Sequence, residues 1–294
     1  MAIYSIRDLE KLTGIKAHTI RVWEQRYGLV SPARTDTNIR FYSDENLRHL
    51  FNVALLNRYG YKISKLAKMQ PEEIAAKVAD FAQNNNSPNT QVEALTLAML
   101  GFDEAAFDRV FGAYFWENGF EQTLIQLIYP FLDRLTALWM AHNVSRAHEK
   151  FITNLIKRKM MVAIDKESVP SNGVTGAKLL LYLPDNDGQE LTLLFMHYLL
   201  KTRHHNVVYI GTGISLDDLR DATESFRPDY VFTILHNTLP KQSVQAYIDA
   251  AAEIAAPAQV LLTGAQVFAN PVKLPTNAQH LSGMSDTLQF LNTL

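Results

Sequence analysis

The chain has 294 residues, 47% hydrophobic and 20% charged, with a formal net charge of -2; this is ordinary globular composition, at a length that suits two or three domains. Its apolar runs are too short or too interrupted to span a bilayer, and its first residues lack the charged-then-apolar order of a signal peptide. The absence of cysteine rules out disulfides, thiolate metal sites and thiol catalysis, so a soluble cytoplasmic protein is expected. Charge is unevenly spread: residues 1–70 hold 12 Lys and Arg against 6 Asp and Glu, which suggests a basic head that meets a polyanion and an acidic body behind it.

In chain order, Ser5 caps a helix carrying Ile6, Leu9 and Leu12 that stops at Thr13-Gly14, and Ile15 to Tyr27 continues helically to Gly28. Two short helices around a glycine-bearing turn form the helix-turn-helix pattern. From Leu29 to Tyr42 the text changes to a predicted hairpin with Thr35-Asp36-Thr37-Asn38 at its turn and Arg34 and Arg40 on its arms. Ser43-Asp44-Glu45 opens a further helix that closes at Gly60, and a short helix follows from Ser64 to Met69. Gln70-Pro71 marks the first boundary. A connecting helix over 71–83 and an Asn-rich loop lead to helices over roughly 91–100, 103–117, 119–140 and 146–165, whose apolar residues recur every three or four positions. That is a helical bundle with short connections.

After 168–173 the period changes. Lys178–Leu183, Val207–Ile210, Tyr230–Leu235 and Gln259–Thr263 are short, almost continuously apolar runs, separated by amphipathic helices over about 189–203, 216–226 and 241–255. Strands apolar on both faces and alternating with helices imply a parallel sheet with right-handed crossovers. A last strand near Gln279-His280-Leu281 and a helix over 285–293 complete five strands. The fold class expected is multidomain α and α/β: a winged helix-turn-helix at 1–70, a connector at 71–90, a four-helix bundle at 91–170 and a doubly wound five-stranded parallel sheet at 175–294.

Tyr4-Ser5-Ile6-Arg7-Asp8-Leu9, Thr13-Gly14, Thr19-Ile20-Arg21-Val22-Trp23-Glu24, Tyr27-Gly28-Leu29, Pro32, Arg34-Thr35 and Arg40-Phe41-Tyr42-Ser43 follow in an order and spacing that resembles the MerR family of bacterial transcription regulators. The resemblance implies that the second helix enters the major groove, with Lys16, His18, Thr19 and Arg21 toward base edges and phosphates. Trp23 falls at a family position associated with the backbone, and Arg26 follows on the same helix. It implies that Arg34, Arg40 and Tyr42 of the wing grip flanking phosphates, with Asn38 able to reach the minor groove. Read from the residues alone, Trp23 and Tyr42 serve equally well as core aromatics. One head covers one half-site, so a homodimer or higher homo-oligomer on a pseudo-palindromic double-stranded DNA operator is implied.

A helical bundle and a doubly wound domain behind this head resemble the cobalamin-binding, light-responsive repressors of the family. Trp139 and Glu149 match residues of the bundle segment that caps the corrin, although Lys150 stands where the family has His. The family's corrinoid loop, D-x-H-x-x-G, here reads Asp187-Gly188-Gln189-Glu190-Leu191-Thr192. Asp187 is kept, but the cobalt ligand becomes Gln189, whose amide nitrogen has its lone pair delocalised into the carbonyl and is no substitute for imidazole. Thr233-Ile234-Leu235 resembles the family's S-x-L, and Thr263-Gly264 keeps one of two glycines near the nucleotide tail. Of the other histidines, His197 is expected to be packed and His204 and His205 to cap a helix. His236, just past the third strand, is the best replacement ligand, or else an ordinary loop residue.

No catalytic signature stands out: Gly211-Thr212-Gly213 lacks the third glycine of a dinucleotide fingerprint. Three functions are weighed. The first is a regulator whose body has lost His-ligated cobalamin binding and acts in oligomerisation or on a protein partner. The second is a cobalamin or other small-molecule sensor of unusual ligation. The third, a methyl-transfer enzyme, is disfavoured because the His loop is broken. No membrane partner is expected and no cofactor is assigned.

Overall fold

The computed structural model describes residues 3–34, 40–84, 88–140, 144–167, 176–184, 189–237 and 243–294. It divides into two compact units, Met1–Leu155 and Ile156–Leu294.

The first unit begins with β1 (Ile3–Tyr4), α1 (Ile6–Thr13), α2 (Ala17–Tyr27), β2 (Ala33–Arg34), β3 (Arg40–Ser43), α3 (Asp44–Arg58) and α4 (Ile63–Leu66). Local chemistry sets the ends. The Ser5 hydroxyl accepts from the Asp8 amide while the Asp8 carboxylate accepts from the Ser5 amide at 2.8 Å, and Gly14 and Gly28 close α1 and α2 in the left-handed conformation. The helix expected from Ile15 starts two residues later. Lys16 at its N-cap offers no acceptor, and Glu10 of α1 supplies one, taking the Ala17 amide at 3.1 Å. The hairpin pairs Arg34 with Arg40 in antiparallel register, and β1, which the sequence reading missed, pairs with the other edge of β3. The wing turn at 35–39, including Asn38, lies outside the described residues.

The bundle consists of α5 (Pro71–Asn84), α6 (Pro88–Leu100), α7 (Glu104–Thr123), a π-helical turn (Leu124–Ile128), α8 (Tyr129–Met140) and α9 (Arg146–Lys166). The boundary expected between the helices over 103–117 and 119–140 falls at Gly119, which sits at φ 76° and ψ 169°, outside helical space; within the second span, a π turn interrupts the expected helix before α8. Head and bundle are braced together. The Arg58 guanidinium pairs with Glu93 of α6 and donates to the Thr13 carbonyl at 3.3 Å, and the Arg134 guanidinium lies 5.9 Å from the Phe51 ring centre.

The second unit holds the doubly wound sheet: β4 (Lys178–Tyr182), α10 (Glu190–Thr202), β5 (Asn206–Gly211), α11 (Leu216–Phe226), β6 (Tyr230–Ile234), α12 (Val244–Ala255), β7 (Gln259–Thr263), α13 (Ala265–Ala269), β8 (Ala278–His280) and α14 (Met284–Leu291). The strand order is β5-β4-β6-β7-β8 and every pairing is parallel, as the apolar runs predicted. The order reverses between β4 and β6, so the crevice at their carboxyl ends is where a fold of this kind takes ligands. Leu179 to Tyr182 of β4, an interior strand, are fully buried. The short helix α13 was not anticipated.

Candidate nucleic-acid interface and ligand pocket

Helix α2 has two faces. Ile20 and Trp23 are buried against the head, while Lys16, His18, Arg21 and Arg26 are exposed and Thr19 is half-buried. His18 and Arg21 stand one turn apart on the exposed side, and Lys16 at the helix start pairs with Glu10 at 3.3 Å. Arg34 is exposed on the wing. Glu24 ties wing to helix: Arg40 Nε donates to its Oε1 at 3.1 Å and the Tyr42 hydroxyl reaches its Oε2 at 3.5 Å. Trp23 is 7% exposed and Tyr42 0%, so both pack in the head's core, the alternative the residues left open. Burial, and then the Glu24 carboxylate, push the Tyr42 phenol above its ordinary range. Glu10 and Glu24, acidic residues in a basic segment, position the interface and were overlooked; their signal was their sign.

At the sheet, Gln189 is the N-cap of α10 and its Oε1 accepts from the Thr192 hydroxyl at 3.3 Å. Residues 185–188, including Asp187, lie outside the described residues. Thr233 is 0% exposed at the end of β6. Beside it the Tyr182 hydroxyl meets that of Tyr247 at 2.8 Å, and both rings are buried. Gly264 sits at φ 114°, where an added Cβ would stand 2.4 Å from the Leu235 carbonyl oxygen. That glycine is required by the close approach of two strand ends. His236 is exposed, and its carbonyl accepts from the Gln266 amide at 3.3 Å. Glu149 is half-buried and Lys150 exposed in the first turn of α9; Trp139 belongs to α8, with its side chain outside the described residues. No group of three or more His, Asp or Glu suited to a metal occurs among the described residues.

His197 is packed, its ring stacked on Tyr209 with centroids 5.4 Å apart, whereas His205, expected at a surface or cap, is buried and His204 alone is exposed. Burial, and then the Lys201 ammonium, hold the His197 imidazole down to about 4. A pKa depressed in the folded state gives stability that is present above the ordinary 6.5 and lost as pH falls toward about 4, because the unfolded chain takes up the proton first. The denaturant midpoint of this unit should fall across that window. His197→Phe, which keeps the stacking, should flatten the fall; an unchanged profile would exclude His197 as its source.

A MerR-type winged helix-turn-helix head followed by a helical bundle and a doubly wound sheet defines the class: a DNA-binding transcription regulator. Residues 4–73, the head, match the family described as MerR HTH family regulatory protein. Over 238 residues it is 24% identical to the HTH-type transcriptional repressor CarH of Myxococcus xanthus, covering 78% of this chain and 77% of that one. It is 25% identical to CarA of the same organism over 268 residues, covering 88% and 85%. Among solved structures, a cobalamin-binding protein from Desulfitobacterium hafniense DCB-2 aligns over 74% of this chain and 88% of its own, with a TM-score of 0.27 and 13% identity. No helix among the described residues is long and apolar enough to cross a membrane.

Proposed function

We propose that this chain is a transcriptional repressor that binds a pseudo-palindromic operator as a homodimer or higher homo-oligomer. In this reading its C-terminal domain has lost His-ligated cobalamin binding and serves assembly or a protein partner, with no catalytic role. Similarity along most of the chain to two named repressors supports the sense of regulation. The observation that carries the DNA reading is the exposed pair His18 and Arg21, one turn apart on a helix held to its wing through Glu24, with exposed Lys16 at its start and Arg26 in its last turn. Arg21 and Arg34 take phosphates, and each such contact releases counterions. Arg40 acts with them while also neutralising Glu24.

On the ligand side, Gln189 offers an amide where the resemblance implies imidazole, and its carbonyl oxygen is already engaged by Thr192. Beside Thr233, the buried hydroxyls of Tyr182 and Tyr247 pair with each other. His236 is exposed, and His197 is spent on Tyr209. These residues do not fit a cobalt-bound corrin, and no step of the function is routed through one.

The test has two arms. Operator fragments titrated across salt should give a steep log–log slope that Arg21→Ala lowers by about 1 while weakening all sequences alike; an unchanged slope would remove Arg21 from the phosphate contacts. Purified protein mixed with adenosyl- and hydroxocobalamin, in the dark and then in light, should emerge from gel filtration without the vitamin's absorption. Stoichiometric uptake with a change in sedimentation would establish a working sensor instead.

A further inference from the structure

The first unit contains an open cavity of about 410 Å³ lined by residues of α3, α5, α6 and α7. It lies at the junction of head and bundle and is separate from the sheet's crevice. Its volume falls within the roughly 300–1,000 Å³ typical of small-molecule sites. The floor is built from small and aliphatic side chains, Ala94, Ala98 and Val110 among them, so that apolar surface faces the space without a bulky side chain to fill it. Polar groups converge from two directions. Arg48 and Asn52 come from α3 of the head, and Arg109 from α7.

The charge balance of this lining favours an anion. Both arginines are exposed, and neither has a carboxylate partner among the described residues. Arg48 is laid over the end of α6, its Nη1 3.8 Å from where a Cβ on Gly101 would stand, which is ordinary van der Waals distance at the rim. The one acidic residue of the lining, Asp103, has its Oδ1 accepting from the Ala106 amide at 2.9 Å as the N-cap of α7. Part of its charge is therefore spent on the helix end. What remains is an apolar chamber with two guanidinium groups, which are planar donors suited to carboxylate.

We propose that this cavity binds a small organic anion with an apolar tail, its carboxylate between Arg48 and Arg109 and its tail on the alanine-lined floor. The site is made by the head and the bundle together, since α3 contributes Arg48 and α6 and α7 contribute the floor and Arg109.

The probe is 1-anilinonaphthalene-8-sulfonate, an apolar ring system bearing one anionic group, added to the full-length protein. One saturable fluorescent class is expected, displaced by decanoate. Arg109→Ala and, separately, Ala113→Glu, which sets a carboxylate on the exposed rim of α7, should each weaken it about tenfold. Both positions are exposed on a helix, and far-ultraviolet circular dichroism should be unchanged. Decanol, with the same tail and no charge, should displace the probe at least about tenfold less effectively than decanoate. Binding that ignores both substitutions would place the probe elsewhere and overturn the proposal, as would equal displacement by decanol or the lack of a saturable class. Operator binding without probe is measured on the same samples, so failure of this site and failure of the regulatory reading are told apart.

Discussion

Gly264→Ala should abolish the cooperative unfolding transition of the C-terminal unit, or lower it by far more than a surface substitution would. Gly264 adopts φ 114° and ψ 162°, a region that is essentially closed to residues with a Cβ and costs them about 1–3 kcal/mol. The added methyl would also meet the Leu235 carbonyl oxygen at 2.4 Å and the Leu235 carbon at 2.6 Å. Those are backbone atoms with no freedom to turn aside: Leu235 donates to the Thr263 carbonyl at 2.7 Å and accepts from the Gln266 amide at 2.9 Å. Strain and clash together should cost about 4 kcal/mol or more, in the range reserved for severe single substitutions. A typical domain has about 5–15 kcal/mol in all. Gly112→Ala is the matched control. It lies inside α7, nothing stands within 4 Å of its added Cβ, and it should stabilise by about 0.5–1 kcal/mol. Thermal unfolding followed by circular dichroism separates the two, and a Gly264→Ala protein melting with the parent would refute the packing argument. A functional point follows. The resemblance places this glycine near a nucleotide tail, yet the strand ends demand it whether or not a ligand is present, so its retention says nothing for cobalamin.

The features legible in the sequence were those written in a short stretch of chain. The Ser5–Asp8 capping box, the stops at Gly14 and Gly28, and the apolar strands around Leu179–Tyr182 and Val231–Ile234 each depend on neighbours within a few positions, and they gave helix ends and a parallel sheet. Features that depend on distant partners were not legible. The α2 start needed Glu10, seven residues before Ala17 and on another helix. The two-residue β1 exists only because β3 is there to pair with it. Trp23 and Tyr42 carry the same family signature whether buried or turned toward DNA, and only the closed head places them inside. The break at Gly119 was legible as the stop between two amphipathic runs, whereas the π turn at Leu124–Ile128 was not. The junction cavity is gathered from residues on four helices between Arg48 and Ala113, each an ordinary helical residue in its own segment. At the sheet the reverse held: Gln189 at the start of α10 was plain in the sequence, whereas the pairing of the buried Tyr182 and Tyr247 hydroxyls was not.

Tyr182→Ala is expected to cost the C-terminal unit about 3–5 kcal/mol, the usual loss for deleting a buried aromatic ring. Tyr182 is fully buried at the end of the interior strand β4, and its hydroxyl is a 2.8 Å partner of Tyr247, also buried, on α12. Truncation would leave a void in the middle of the sheet and would take from the Tyr247 hydroxyl its partner in a dry environment. Tyr182→Phe keeps the ring and removes only the hydroxyl contact, so about 1 kcal/mol is expected, and urea titrations should rank the two variants accordingly. The pH dependence identifies the hydroxyl. Burial pushes the Tyr182 phenol up to about 12 from an ordinary 10, offset in part by Tyr247 and Thr233. The folded state therefore holds its proton longer than the unfolded chain does, and this stability is complete below pH 10 and lost as pH rises from 10 toward 12. Tyr182→Phe should reduce that alkaline loss, while the Tyr209 phenol, also pushed up to about 12, leaves a remainder. Equal costs for Ala and Phe would mean that the ring fills no essential space.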